Sequence, residues 1–152
     1  MPNRPKKHRN LTVIGFYGYS NSGKTTLIER LIGDLKAEGY RVAAVKVSGH
    51  DLELDEPGKD TWRYSQAGAG VVALASKGGT AFLVDGALDM ATILDVLAVT
   101  RHPDIVLVEG ARTDLIRKVR LGDIEERENT IWTYDGVYEN LMKLVHRELK
   151  KE

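Results

Sequence analysis

The chain has 152 residues, of which 42% are hydrophobic and 29% charged, which suits one folded domain and is unlike a disordered chain. Its 22 basic and 22 acidic residues cancel, so no net field attracts nucleic acid or anionic lipid, and no apolar run approaches the roughly 20 residues of a membrane-spanning helix. The absence of cysteine excludes disulfides, thiolate zinc sites and cysteine nucleophiles.

The first ten residues are basic, and we expect them to form a solvated, flexible terminus ahead of a domain that spans residues 11–152. No apolar signal core of adequate length follows them before a glycine-rich loop. A cytoplasmic protein that binds neither nucleic acid nor membranes is therefore expected.

The first predicted elements flank the glycine-rich loop. An apolar, β-branched run over residues 11–17 predicts a strand, and apolar residues at helical spacing after the loop predict a helix that Gly39 ends. Residues 41–47 are predicted to form a second buried strand. The next stretch, residues 48–60, is too polar to be core and long enough to be functional.

Strands and helices alternate through the rest of the chain. The remaining predicted elements are a helix over 60–66, strands over 71–75 and 80–84, a helix over 90–99, strands over 104–109 and 118–121, and a closing helix over 137–149. The continuously apolar run at 104–109 is typical of a central parallel strand. This order predicts a single-domain, three-layer α/β fold of the P-loop NTPase type, with a mostly parallel sheet flanked by helices.

Residues 18–26 read Gly-Tyr-Ser-Asn-Ser-Gly-Lys-Thr-Thr, a phosphate-binding loop between a strand and a helix. Gly18 and Gly23 are expected to adopt positive φ and to let the backbone approach phosphate oxygens. We expect Lys24 to neutralise the β and γ phosphates and to act in catalysis, and the Thr25 hydroxyl to ligate Mg²⁺. The predicted nucleotide-binding residues are Gly18, Ser20, Asn21, Ser22, Gly23, Lys24, Thr25, Thr26 and, from the end of the second strand, Lys46.

A carboxylate, Glu109, ends the apolar run at 104–109 and is followed by Gly110. Because the carboxyl ends of parallel strands meet at the ligand edge of the sheet, we expect Glu109 to hold Mg²⁺ directly or through water and to act with Lys24 in catalysis. Its alternative role is that of a strand-terminal carboxylate facing solvent. Asp60, at a predicted helix start, is a further candidate Mg²⁺ ligand with helix capping as its alternative role. The predicted metal set is Thr25, Asp60 and Glu109.

Three segments resemble the family of molybdopterin-guanine dinucleotide biosynthesis adaptor proteins, protein B (MobB). They are residues 18–26, the run Asp55-Glu-Pro-Gly-Lys-Asp-Thr-Trp-Arg and the run Val108-Glu-Gly, and the similarity extends over nearly the whole chain. The resemblance implies a homodimeric, GTP-binding protein with weak GTPase activity and Mg²⁺ as cofactor. It also implies a partner, the guanylyltransferase called protein A, which attaches GMP to molybdopterin; molybdopterin itself is a further candidate ligand.

The chain departs from the family pattern in two places. Where the family carries several histidines after the residue that matches Lys46, this sequence has Val47 and retains His50. After the Glu-Gly pair the family has an aromatic residue and a lysine and then a Pro-Lys pair, whereas here Ala111 and Arg112 follow, and later Arg117 and Lys118. Charge is largely kept at Arg112 and Lys118. Arginine is not an automatic substitute for lysine at a phosphate.

A second functional class is also open. Lys46-Val-Ser-Gly and Val108-Glu-Gly-Ala resemble the dethiobiotin synthetases, which share the fold and bind metal through residues that match Thr25, Asp60 and Glu109. That resemblance implies an ATP-dependent synthetase or small-molecule kinase. Its weakness is size, since 152 residues leave little material for an acceptor pocket.

The predicted preference for a guanine nucleotide and the predicted homodimer rest mainly on the resemblance to MobB proteins. No Asn-Lys-x-Asp run is present, so the guanine preference has no residue of its own in the sequence. Exposed strand edges around residues 117–134 are the hypothesised pairing surface of a homodimer.

Overall fold

The structure, a computed structural model, describes residues 11–151, and the predicted flexible segment 1–10 lies outside the described residues. Two compact units make up the chain. The first comprises the described residues up to Val47 and from Met90 onward, and the second is Ser48–Asp89.

The first unit is built on a five-stranded, wholly parallel sheet. Its strands are β1 (Thr12–Gly18), β2 (Val42–Lys46), β5 (Ile105–Glu109), β6 (Arg117–Leu121) and β7 (Thr130–Thr133), in the order β2-β5-β1-β6-β7. Its helices are α1 (Lys24–Ala37), α3 (Met90–Arg101) and α4 (Tyr138–Leu149). The predicted mostly parallel sheet flanked by helices is thereby confirmed.

Alternate residues of the central strands face two separate cores, which makes this unit three-layered. On one face, Ile14 and Ile105 pack with apolar residues of α1 and α4, including Leu31 and Leu141. On the other face, the neighbouring residues of the same strands pack with α3, including Met90. Since β5 is buried on both faces, its sequence is continuously apolar over 105–108, rather than alternating, before it ends at Glu109.

The second unit contains α2 (Asp60–Gln66), β3 (Val71–Ser76) and β4 (Gly79–Val84). The two strands form an antiparallel hairpin of their own, so the expectation that strand and helix alternate throughout is wrong here. Only Lys77 and Gly78 separate them, and two residues suffice for a hairpin turn but not for the crossover that a parallel pair needs.

Three further details differ from expectation. The strand β7 was not predicted, because none of its four residues is fully buried and its apolar run is only two residues long, Ile131 and Trp132. Of the two strands within residues 117–134, where exposed edges were expected, β7 does lie at the edge of the sheet, whereas β6 is enclosed between β1 and β7 and offers no free edge within the described sheet. Asp60 is the first residue of α2 rather than its cap, since Lys59 is the N-cap and its carbonyl accepts the Arg63 amide.

Among residues 11–151, no helix has both the length and the apolar character needed to cross a bilayer.

Candidate functional site

The glycine-rich loop connects the end of β1 to the start of α1, as predicted. Gly23 is the N-cap of α1 with φ of 87°, and Asn21 also has a positive φ of 62°. Asparagine is one of the few residues other than glycine that adopts this conformation readily. Among the described residues no side chain caps α1, so its first backbone amides are available to an anion.

Gly18 does not have the positive φ that we expected of it. Its importance is steric instead: a Cβ at this position would lie 2.8 Å from the Leu121 carbonyl oxygen and 2.9 Å from Ser22 Oγ. Gly18 pairs with Leu121 across β1 and β6. The absence of a side chain therefore lets the loop leave β1 close against the neighbouring strand.

Lys24 reaches back over the loop. Its Nζ donates hydrogen bonds to the carbonyl oxygens of Gly18, at 3.0 Å, and Tyr19, at 2.8 Å. An ammonium has three N–H donors, so one remains for a ligand after these two bonds. The two carbonyls hold the cation at the mouth of the loop, where the sequence predicted that it would meet phosphate.

Thr25 and Glu109 approach one another at the carboxyl edge of the sheet. The Thr25 hydroxyl donates to Glu109 Oε1 at 3.5 Å, a long hydrogen bond. Glu109 ends β5 and lies opposite Phe16 of β1 on one side and Lys46 of β2 on the other. The register of the sheet thus places the carboxylate beside the first turn of α1.

A cavity of about 340 Å³ lies at this edge. Its lining residues are Ser20, Asn21, Gly23, Lys24, Thr25, Thr26, Lys46 and Glu109. Of the predicted nucleotide-binding residues, Gly18 and Ser22 are not in this lining. Two lysines and one glutamate give the described lining a positive charge, which favours a polyanionic ligand.

The residues present fit a magnesium ion. Mg²⁺ prefers oxygen ligands and usually keeps waters and substrate phosphate oxygens in its shell, so one hydroxyl and one carboxylate are a sufficient protein contribution. Thr25 and Glu109, both in the first unit, are placed where they could supply these, whereas Asp60 belongs to the second unit, and all three stay predicted ligands. Within residues 11–151, no group of three or more His, Asp or Glu side chains could hold a metal unaided.

Two further cations, Lys118 and Arg127, do not line this cavity, and the sequence marked only Lys118, as a position that keeps a charge of the family pattern. Lys118 has no exposed surface, and its Nζ donates to the carbonyl oxygens of Ile116, at 3.1 Å, and Glu128, at 2.7 Å. Burial lowers the pKa of Lys118, and the nearby carboxylates of Asp114 and Glu128 oppose this only in part. Gly15 makes room for this side chain, since a Cβ there would lie 3.2 Å from Lys118 Cγ.

The second cation is Arg127, in the segment that connects β6 and β7, and the sequence analysis did not single it out. Its Nη1 donates to the carbonyl oxygens of Ala111, at 3.0 Å, and Gly110, at 3.4 Å, directly after Glu109. Burial, then the neighbouring cation of Arg112, lowers the pKa of Arg127. No local pattern marks Arg127 in the sequence, because its contacts lie on distant segments.

A second cavity, of about 560 Å³, lies at the opposite edge of the sheet. It is lined mainly by the end of α1 and the start of β2, with Arg101 from the end of α3. Ligands of parallel α/β sheets bind outside the carboxyl ends of the strands, so the smaller cavity beside Lys24 is the candidate site.

The sheet order, the loop between β1 and α1 and the carboxylate at the end of β5 define a protein of the P-loop NTPase fold. The sequence profile of the family described as "MobB: Molybdopterin guanine dinucleotide synthesis protein B" matches residues 13–145. The chain belongs to the MobB family.

Individual relatives agree with this assignment. The molybdopterin-guanine dinucleotide biosynthesis adapter protein of Haemophilus influenzae is 38% identical over 117 residues, 75% of this chain and 65% of that protein. The putative adapter protein of the same name from Methanocaldococcus jannaschii is 41% identical over 107 residues, 70% of this chain and 44% of that protein. The matched part therefore spans less than two thirds of either relative.

Solved structures support the fold. The crystal structure of Bacillus subtilis MobB superimposes with a TM-score of 0.70 at 23% identity, and the match covers 93% of this chain and 99% of that chain. At this level of identity the likeness concerns the fold alone.

Proposed function

We propose that the chain binds GTP with Mg²⁺ at the cavity beside Lys24, and that it serves as an adapter in molybdopterin guanine dinucleotide biosynthesis. The observation that carries the proposal is the convergence of Lys24, Thr25 and Glu109 on one cavity at the carboxyl edge of the parallel sheet. Their types and positions match what a triphosphate with a divalent cation requires.

Phosphate recognition follows from the local geometry. The uncapped amides at the start of α1 point toward the loop, and the helix dipole favours negative charge there. Lys24 supplies a positive charge held on two loop carbonyls, and Lys46 supplies another from the end of β2. Together these groups replace the water that solvates the triphosphate.

Thr25 and Glu109 would hold the magnesium ion, which when bound neutralises charge on the β and γ phosphates. In hydrolysis, water attacks the γ phosphorus, the bond to the β–γ bridging oxygen breaks, and GDP and inorganic phosphate form. Lys24 stabilises charge on the phosphate oxygens. Among the described lining residues Glu109 is the sole carboxylate, and its Oε1 faces the Thr25 hydroxyl. With no separate group to orient the attacking water, slow turnover is expected.

The adapter role derives from the relatives, which are named adapter proteins of this biosynthesis. We propose that the GTP-bound chain docks on the guanylyltransferase that attaches GMP to molybdopterin, with molybdopterin as a further candidate ligand. Slow hydrolysis suits such a role, because a bound nucleotide that persists can hold one conformation for docking.

Self-association is part of the proposal. The β3–β4 hairpin exposes two large apolar side chains on one face, Val71 and Phe82, each with more than half of its surface accessible. A two-stranded hairpin is marginally stable alone, and a second copy of the chain would cover these side chains. We expect a dimeric mass in solution by light scattering, and a shift toward the monomer in the double variant V71S/F82S; a monomeric wild-type protein would contradict this.

The nucleotide proposal is tested by calorimetry with GTP and ATP. We expect GTP to bind more tightly in the presence of Mg²⁺, and Lys24→Ala to weaken binding by about 100-fold, because truncating a charge that pairs with phosphate costs about 2–5 kcal/mol. Lys36→Ala, which removes a lysine from the other end of α1, is the control. A Lys24→Ala variant that binds GTP as tightly as the wild type would refute the site. If the wild type binds ATP more tightly than GTP, the synthetase class is favoured.

The adapter proposal has its own measurement. Immobilised guanylyltransferase is expected to retain the chain when GTP and Mg²⁺ are present, and to retain less of the Lys24→Ala variant. No retention of the wild-type protein under saturating nucleotide would contradict the adapter role while leaving nucleotide binding intact.

A further inference from the structure

The guanidinium of Arg127 holds the backbone of the turn that carries Glu109. Its Nη1 donates to the Ala111 carbonyl at 3.0 Å and to the Gly110 carbonyl at 3.4 Å, which belong to the two residues that follow the carboxylate residue. Bonds from a charged donor are roughly twice as strong as neutral ones. Arg127 therefore anchors the carbonyl side of this turn.

The peptide unit between Glu109 and Gly110, at the start of the same turn, is anchored by hydrogen bonds to β1 and to the residue that follows β2. The Gly110 amide donates to the Phe16 carbonyl at 2.9 Å, and the Val47 amide donates to the Glu109 carbonyl at 2.8 Å. Gly110 has φ of 85°, a conformation that reverses the chain directly after the strand. Because the start and the end of this turn are both hydrogen-bonded, the Glu109 side chain projects from a backbone that is fixed in place.

Arg127 is itself held by a closed cycle of hydrogen bonds. Its amide donates to the Tyr17 hydroxyl at 3.0 Å, the Tyr17 and Thr130 hydroxyls are 2.6 Å apart, and the Thr130 hydroxyl donates to the Arg127 carbonyl at 2.6 Å. These directions are consistent when Tyr17 donates to Thr130. The Arg127 guanidinium also lies 4.7 Å from the centre of the Tyr17 ring, in a cation–π contact.

Tyr17 immediately precedes Gly18, and its side chain is buried. Arg127 thus contacts both sides of the candidate site: the strand that leads into the phosphate-binding loop, and the turn after Glu109. The contacts come from the β6–β7 connection, which supplies no residue to the lining of the cavity.

We propose that Arg127 is a positioning residue, which fixes the turn at Gly110 and Ala111 so that the Glu109 carboxylate stays beside Thr25 and is set for a divalent cation. The inference rests on the proposed binding of nucleotide with Mg²⁺. It adds a residue that touches neither ligand and that controls the affinity for the metal.

Positioning and electrostatic repulsion predict opposite changes in Mg²⁺ affinity when the charge of Arg127 is removed. A cation close to a Mg²⁺ site repels the metal, so removing the charge of Arg127 would tighten metal binding if simple repulsion decided the result. Positioning predicts weaker metal binding instead. The direction of the change therefore separates the two effects.

The first measurement uses the protein without nucleotide. In Arg127→Gln, we expect amide hydrogen exchange of the peptide covering residues 109–112 to accelerate about tenfold, with exchange in α4 unchanged, because only the local anchor is lost. Arg127→Lys, which keeps a cationic donor, is expected to restore part of the protection. Arg147→Gln, at an exposed arginine of α4, is the charge-matched control. Unchanged exchange at 109–112 in Arg127→Gln would overturn the positioning role.

The second measurement is a Mg²⁺ titration of the GTP complex, compared with GTP binding in excess chelator. Arg127→Gln is expected to weaken the Mg²⁺ affinity about tenfold, as loss of groups supporting a metal ligand commonly does, while metal-free GTP binding stays within about twofold. In a Glu109→Gln background the same change should have no further effect on Mg²⁺ affinity. Tighter metal binding, or an undiminished effect in that background, would overturn the inference.

Failure of the inference and failure of the proposed function remain distinct. If the wild-type protein binds no GTP, the proposed function fails, and hydrogen exchange still decides whether Arg127 holds the turn. If Arg127→Gln does not fold, the comparison of Arg127→Lys with the wild type decides, because lysine keeps the charge but cannot present two N–H groups in a planar fork.

Discussion

The Thr25 hydroxyl lies 3.5 Å from Glu109 Oε1, although the two residues are 84 positions apart in the chain. Thr25 is in the first turn of α1 and Glu109 ends β5, which pairs directly with β1. The pairing of two neighbouring parallel strands therefore creates the candidate metal site. Its affinity for a metal is expected to depend on both oxygens at once.

Glu109→Gln and Thr25→Val test this pair. Each variant is expected to weaken Mg²⁺-dependent GTP binding by about tenfold or more, with little effect on binding in chelator, because each loses one of the oxygens that Mg²⁺ prefers. Calorimetry at several Mg²⁺ concentrations measures the effect. Glu29→Gln, an exposed carboxylate of α1, controls for the change in net charge. Wild-type metal dependence in Glu109→Gln would exclude Glu109 from the metal shell.

A second prediction concerns the turn after Glu109 and its contribution to the stability of the fold. Gly110 has φ of 85°, and a Cβ there would lie 2.7 Å from the Val47 carbonyl oxygen. Gly110→Ala is expected to lower the free energy of unfolding by about 3 kcal/mol, since the left-handed conformation and the collision both oppose the side chain.

Gly136→Ala separates these two causes. Gly136 has φ of 83°, but nothing lies within 4 Å of an added Cβ. Gly136→Ala is expected to lower the free energy of unfolding by only about 1 kcal/mol, the cost of the backbone conformation alone. Urea unfolding of both variants gives the comparison, and equal losses would show that the contact with the Val47 carbonyl is relieved by a backbone shift.

Local sequence patterns predicted much of the first unit. The stretch 105–108 is apolar because β5 is buried there on both faces, and the loop at 18–26 requires its residues to be close together in the chain. Such features depend on neighbours in sequence, and the strand, loop and helix were therefore all predicted within a few residues of their observed bounds.

Features that depend on distant segments were not predicted. The role of Gly18 depends on the Leu121 carbonyl of β6, and the role of Arg127 depends on the turn after β5. The hairpin of β3 and β4 has strands of the expected length, but their pairing partner cannot be inferred from apolar content alone. Only the two-residue turn at 77–78 carried that information.

The last prediction concerns Glu148, a buried carboxylate near the end of α4. Its Oε1 accepts hydrogen bonds from Arg117 Nη2 of β6 at 3.2 Å and from Lys151 Nζ at 2.9 Å, and its Oε2 forms an ion pair with Arg117 Nε at 2.9 Å. Burial by itself raises the pKa of Glu148, but the bonds from Lys151 and Arg117 outweigh burial and leave the pKa below its ordinary value of 4.5. The ionised form is therefore favoured in the folded protein.

A carboxylate whose pKa is lower in the folded than in the unfolded chain binds fewer protons when folded, so stability rises with pH between the two values. We expect Glu148→Gln to reduce the free energy of unfolding by about 2 kcal/mol at pH 7, the scale of hydrogen bonds to a charged group. The difference from wild type should hold above the unfolded value of 4.5 and shrink as the pH falls through the lower, folded value. Urea unfolding from pH 7 to pH 3 measures it, with the exposed carboxylate variant Glu139→Gln as control. A difference that stays constant down to pH 3 would mean that packing, rather than the charge of Glu148, stabilises this contact between α4 and β6.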